Sequence, residues 1–123
     1  LCDSLGLPDR NKFPIYYGLG QTYMELRDFI LSLDDSIELK ATKLYIGFLF
    51  NNHNLVDIKL QKNSILVWLN THYGVLDDPR GIITDVTHTG HHGNGDCQIK
   101  IADKSHMGYI KDLIQAHYQN QSR

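Results

Sequence analysis

Apolar residues at Tyr23, Leu26, Ile30 and Leu33 repeat with the spacing of one helical face, which predicts a helix from Gln21 that stops near Asp34 and Asp35. Beyond it the period shortens to two. A short strand is predicted over 37–41. The stretch from Lys43 to Phe50 reads as a strand with Leu44, Ile46, Phe48 and Phe50 on one face and Lys43, Tyr45 and Gly47 on the other. Asn51-Asn52-His53-Asn54 reads as a hairpin connection. Val56, Ile58 and Leu60 then alternate with Asp57 and Lys59, Ile65, Val67 and Leu69 with Leu66, Trp68 and Asn70, and Cys97, Ile99 and Ile101 with Gln98 and Lys100. The helical period returns over 104–119, where Asp103 is positioned as an N-cap and Met107, Ile110, Leu113, Ile114 and His117 form the apolar stripe.

This order predicts an α+β fold: an antiparallel sheet of about five strands, with the N-terminal and C-terminal helices packed on one face. Residues 21–119 form the expected single domain, 1–20 a lead-in or linker and 120–123 a tail. The sheet face away from the helices is expected to be open and to carry Lys43, Tyr45, Lys59, Trp68, Asn70, Gln98 and Lys100. Aromatic rings among lysines suit single-stranded or distorted nucleic acid, because rings stack on bases while ammonium groups meet phosphates. Tyr and Trp also favour strands for their own sake, so an ordinary solvated sheet face is the alternative.

Composition narrows the field. Of 123 residues, 41% are hydrophobic and 21% charged, as in a soluble globular domain. No apolar stretch is long enough for a membrane helix and no secretory signal opens the chain, so a cytoplasmic location without membrane attachment is expected. Cys2 and Cys97 have no metal-like spacing and are expected to stay reduced. The net charge of −2 excludes coating of nucleic acid by bulk electrostatics, yet Lys40, Lys43, Lys59 and Lys62 face only Glu38 and Asp57 across their stretch. The chain opens on Leu1 rather than methionine, so it is expected to be part of a longer polypeptide or a processed form.

The densest concentration of chemistry is Gly90-His91-His92-Gly93-Asn94-Gly95-Asp96, shortly after Asp77-Asp78-Pro79-Arg80-Gly81. Asp78-Pro79 suits a helix or turn start. Arg80 is able to grip a phosphate or to pair with Asp77, Asp85 or Asp96, and the structural ion pair is the favoured reading. His88, His91, His92 and Asp96 supply donors for a transition metal, but adjacent histidines on one loop do not define a closed site, and no metal is assigned. Asp57-Ile58-Lys59 matches half of a metal-dependent nuclease signature with Glu38 as its only upstream acid, and is read first as plain sheet. There is no nucleophile elbow, Walker loop or dinucleotide fingerprint, so neither catalytic residue nor cofactor is assigned.

Thr42-Lys43-Leu44-Tyr45-Ile46, Val56-Asp57-Ile58, Gln61-Lys62, Trp68-Leu69-Asn70, Asp77-Asp78-Pro79-Arg80-Gly81, Asp85-Val86 and the Gly90–Asp96 run form an ordered series. Over residues 21–119 it resembles a small bacterial and archaeal domain of unknown function, sometimes labelled a predicted transport protein. That domain recurs at the C-terminus of proteins with a NucS-like endonuclease module and of GmrSD-type restriction proteins. Its members usually carry Trp where this chain has His92, and its shape is similar to YdhG or YjbR folds. The resemblance implies a non-catalytic domain of a restriction or defence nuclease that recognises nucleic acid, DNA in preference to RNA, or regulates the nuclease. Lys43, Tyr45, Lys59, Trp68, Arg80, His91, His92 and Asn94 are the expected contact residues. A protein-interaction or homodimerisation module and a cryptic metal-dependent hydrolase are the alternatives.

Overall fold

Alternation along the chain gives each central strand one apolar side, and pairing in register fuses those sides into a continuous surface. The computed structural model describes residues 19–89 and 94–122. Helix α1 is Gly20–Ser32 and α2 is Met107–Gln121; between them lie β1 (Glu38–Ala41), β2 (Ile46–Phe50), β3 (His53–Leu60), β4 (Ile65–Leu69), β5 (Thr84–Asp85) and β6 (Cys97–Ile101). The sheet order is β1-β2-β3-β4-β6-β5, and every pairing is antiparallel. The fold is α+β, with six strands among the described residues rather than about five. The extra strand, β5, has two residues, too few to show any period.

Ile46, Ile58, Val67 and Ile99 stand side by side across four strands, as do Phe48, Val56, Leu69 and Cys97. These residues share one buried cluster with Tyr23, Leu26 and Ile30 of α1 and with Met107, Ile110, Leu113 and Ile114 of α2. Each such side chain contributes about 1.5–3 kcal/mol on burial, so the helices are held chiefly by this surface. Polar contacts set their positions. The Tyr118 hydroxyl donates to Asp34 at 2.6 Å, tying α2 to the segment after α1, and its ring meets Phe50 edge-on at 5.3 Å between centroids.

His117 is fully buried and its Nε2–H donates to the Leu55 carbonyl at 2.9 Å. Leu55 is itself an irregularity. Phe48 pairs with Val56 but Leu49 pairs with Asn54, so Leu55 is an extra residue, a β-bulge. The bulge turns Leu55 into the core and puts Asn54 on the same side of the sheet as Asp57.

Several local expectations differ from what is observed. Leu44 does not begin β2; it lies 52% exposed in a turn where the Thr42 hydroxyl oxygen accepts from Leu44 N and Tyr45 N. Asp103 does not cap α2, because its carboxylate accepts the Ser105 N–H while the helix starts at Met107. Asp78-Pro79, expected to start a helix or a turn, does open a turn, closed by Gly81 N on the Asp78 carbonyl. The hairpin loop is just Asn51 and Asn52, both at positive φ, a conformation asparagine tolerates better than most residues. The lead-in up to residue 18, with Cys2, and the loop residues Gly90, His91, His92 and Gly93 lie outside the described residues.

Candidate functional site

On the side of the sheet away from the core cluster, one row crosses all six strands: Lys40, Gly47, Asp57, Trp68, Gln98 and Thr84. Asp57 is 1% exposed and hydrogen-bonded throughout. Its Oδ2 accepts both the backbone N–H and the side-chain amide of Asn94 at 2.8 Å, and its Oδ1 accepts Asn54 Nδ2 at 2.7 Å. Gly47 makes room for this group, since a Cβ there would stand 2.9 Å from Asn54 Nδ2 and 3.3 Å from Asp57 Oδ1. Just past Asn94, Gly95 sits at φ +91°, where a Cβ would meet the Leu69 carbonyl oxygen at 2.2 Å. The chain leaving the glycine-histidine loop is thereby pressed against the end of β4, and Asp96 N continues the contact to the Thr71 carbonyl.

Two expected contact residues are corrected by this geometry. Trp68 shares the face with Lys59 but is 1% exposed, its indole N–H donating to Gln98 Oε1 at 3.0 Å, so its ring is packed rather than presented for stacking. Asn94 directs its amide groups at Asp57, which makes it an anchor of the loop. The face is not a bare sheet at its centre: Trp68 and Val86 are buried there outside the main cluster. Asp57 has no carboxylate oxygen free of amide donors, and among the described residues no group of three His, Cys, Asp or Glu is placed to hold a metal ion.

The lysines behave differently. Lys59 and Lys100 flank Leu66 in the next row of the same face, about 10 Å apart given the interstrand spacing. Lys43 and Lys62 occupy the β1–β2 and β3–β4 turns at that same end of the sheet, beside exposed Leu44 and half-buried Tyr45. The cations with a carboxylate partner among the described residues are Arg27, Lys104, Lys111 and, when protonated, His72. Lys40, Lys43, Lys59, Lys62 and Lys100 have none.

Asp77, Asp78, Asp85 and Asp96 gather at the opposite end of the strands. Their field shows at Cys97, whose thiol is pushed up to about 11 by burial and then by Asp96, Asp85 and Asp78. Arg80 does not neutralise them, contrary to the ion pair expected. Its guanidinium lies 4.7 Å from the centre of the Tyr109 ring, and its backbone N–H donates to the Tyr109 hydroxyl at 3.1 Å. That hydroxyl donates in turn to Asp78 Oδ1 at 2.5 Å, while Ile83 N–H donates to Asp78 Oδ2 at 2.8 Å. Burial opposes charge on Asp78, but these donors prevail and hold its carboxyl below the usual range. A cavity of about 150 Å³ between Tyr73, Leu76 and Ile83 opens beside this turn.

A second cavity, of about 270 Å³, lies where the β2–β3 hairpin turn meets the end of β4 and the last turn of α2. Its walls are Phe50 and Leu55 together with Asn51, His53, Asn54, Asn70 and Gln121. The alternation pattern misses it because its polar residues come from turns and helix ends. The Asn51-Asn52 pair between two strands is the signal that a tight turn presents side chains here.

Over 94 residues the chain is 40% identical to a Haemophilus influenzae protein described as uncharacterized. The match covers 76% of this chain and 31% of that relative, so the chain corresponds to about a third of the longer protein. No family model and no solved structure matches the chain. Among the described residues no helix is long and apolar enough to cross a membrane.

Proposed function

We infer that this chain is a non-catalytic nucleic-acid-binding domain that works within a longer protein, as the recognition or regulatory part of a restriction or defence nuclease, with DNA the favoured ligand. The observation that carries this reading is the set of lysines without a carboxylate partner among the described residues, Lys43, Lys59, Lys62 and Lys100, collected at one end of the sheet with Lys40 one row away, in a chain whose net charge is −2. A polyanion gains most where cations are clustered and uncommitted, because each phosphate contact releases bound counterions. Tyr45 and Leu44 at the same end supply surface for a base or sugar, the role that the buried Trp68 does not fill. The engagement of both Asp57 oxygens by amides supports a non-catalytic reading of the Asp-x-Lys element. The match to a third of a longer protein supports the role of a module.

The test is titration of short single- and double-stranded DNA and RNA across a range of salt concentrations. Binding that weakens steeply with salt, with a log–log slope that shrinks by about 0.7–0.9 for each of Lys59→Ala and Lys100→Ala, is the expected result. Binding of none of these ligands at low salt overturns the reading and leaves the lysine end to a protein partner. Salt-independent association between copies of the chain would give it instead to a homodimer.

A further inference from the structure

The cavity at the hairpin end of the sheet combines apolar walls with uncharged hydrogen-bonding groups, and two of those groups have their orientation fixed. Asn54 Nδ2 donates to the Asp57 carboxylate, which only accepts, and Asn70 Nδ2 donates to the Asn54 carbonyl at 2.8 Å, which also only accepts. Neither amide is free to flip. Each residue therefore has its side-chain oxygen left as an acceptor, and among the described residues nothing donates to either oxygen. Asn51, His53 and Gln121 are exposed on the rim and able to donate, while Phe50 and Leu55 provide a buried apolar surface.

Acceptors held in place, exposed donors on the rim and an apolar wall, with no Asp, Glu, Lys or Arg among the lining residues, do not suit an anion or a cation. They suit a neutral flat ring that carries N–H donors on its edge. We propose that this cavity is a nucleobase site, taking a base with an exocyclic amino group through Asn54 and Asn70 against the Phe50–Leu55 wall. It lies at the end of the strands away from the unpaired lysines, so it reads base identity without reading phosphate. The inference goes beyond the lysine-end reading and does not depend on it.

The experiment uses the intact chain and the nucleosides adenosine, cytidine, guanosine and uridine, which carry no phosphate and so are blind to the lysine end. Side-chain amide resonances of Asn51, Asn54, Asn70 and Gln121 are followed by ¹⁵N-resolved NMR. Adenosine, cytidine or guanosine is expected to shift them more than uridine, with an affinity unchanged by salt. Asn70→Leu removes one fixed acceptor and should weaken binding about three- to tenfold, the usual worth of one hydrogen bond. Asn51→Gly provides a variant with little risk to folding, since residue 51 sits at φ +53°, where glycine is at ease, and it should weaken binding by removing a rim donor. If a single-stranded oligonucleotide shifts the same amides, the base comes from a polymer; if nucleosides alone do so, the ligand is free. Absence of shifts with all four nucleosides at millimolar concentration overturns the proposal, as does binding that neither substitution changes. Loss of polynucleotide binding in the lysine variants with nucleoside binding intact would separate the two sites.

Discussion

Asn94 donates both its backbone N–H and its side-chain amide to one carboxylate oxygen of Asp57, each at 2.8 Å, across 37 positions of sequence. Removing the carboxylate strands these donors and Asn54 Nδ2 in a buried setting. Asp57→Ala should therefore lower stability by about 1–3 kcal/mol, read as a fall in the urea midpoint. An unchanged midpoint would mean the Asp57–Asn94 contact holds nothing in place.

Gly95 tests the same contact from the backbone. A residue with a Cβ at φ +91° costs about 1–3 kcal/mol in conformational strain, and here the added atom also collides with the Leu69 carbonyl. Gly95→Ala should lose at least as much stability as Asp57→Ala. Tolerance of alanine would show that the chain easily finds another path past β4.

In the main cluster Phe48 is fully buried between the helices and the sheet. Phe48→Ala should cost about 3–5 kcal/mol by thermal or urea unfolding, as large core truncations do. A cost below about 1 kcal/mol would remove Phe48 from the core.

Arg80 stacks on Tyr109 and pairs with no carboxylate among the described residues, so its loss strands no charge there. Arg80→Ala should change stability by no more than about 1 kcal/mol, the worth of an exposed cation–π contact. Tyr109→Phe removes the hydroxyl that bridges Arg80 N and Asp78, and should cost more than Arg80→Ala does. The reverse order in melting temperature would restore the ion-pair role for Arg80.

His117 gives a pH dependence of known sign. Burial lowers its pKa, the bond to Leu55 opposing, so the folded chain takes up this proton less readily than the unfolded chain, whose value is 6.5. The stability associated with the neutral ring is complete above pH 6.5 and declines as the pH falls below it. Asp34, held below its usual value of 3.8 by the Tyr118 hydroxyl, and Asp103, held down by Ser105, lose their contribution only under more acid conditions. Melting curves of His117→Gln should lie flat between pH 7 and 5 where the parent declines, with the loss below pH 4 retained. A parallel decline in both proteins would assign it to another group.

The two long helices and the strands of the core were legible because their apolar residues repeat at 3.6 or at 2, and burial enforces that repeat. Ile46, Ile58, Val67 and Ile99 were read on the correct face for this reason. The other face was read as open because the residues closing it carry no period: Asn94 reaches Asp57 through a loop, and Trp68 presents the same alternation whether solvent or protein lies above it. Alternation reports side and not depth. Lys43, Tyr45, Lys59 and Asn70 were legible as residues of the far face, whereas the cavity that Asn70 shares with Asn51, Asn54 and Gln121 was not, since a cavity formed by turns and a helix end has no linear signature. His91 and His92 lie outside the described residues, and their expected role stands as a proposal.

The bulge at Leu55 makes the core beneath β3 a matter of chain length as much as of side-chain identity. Deleting that one residue would restore strict alternation through β3 with Asn54 still opposite Leu49 on the far face, and would take from the core the Leu55 side chain that the bulge turns inward. It would also take away the carbonyl on which His117 and Asn70 N converge. A domain built this way tolerates exchange of residues in β3 far better than a change in their number, so length variants should segregate to the turns and spare the strand.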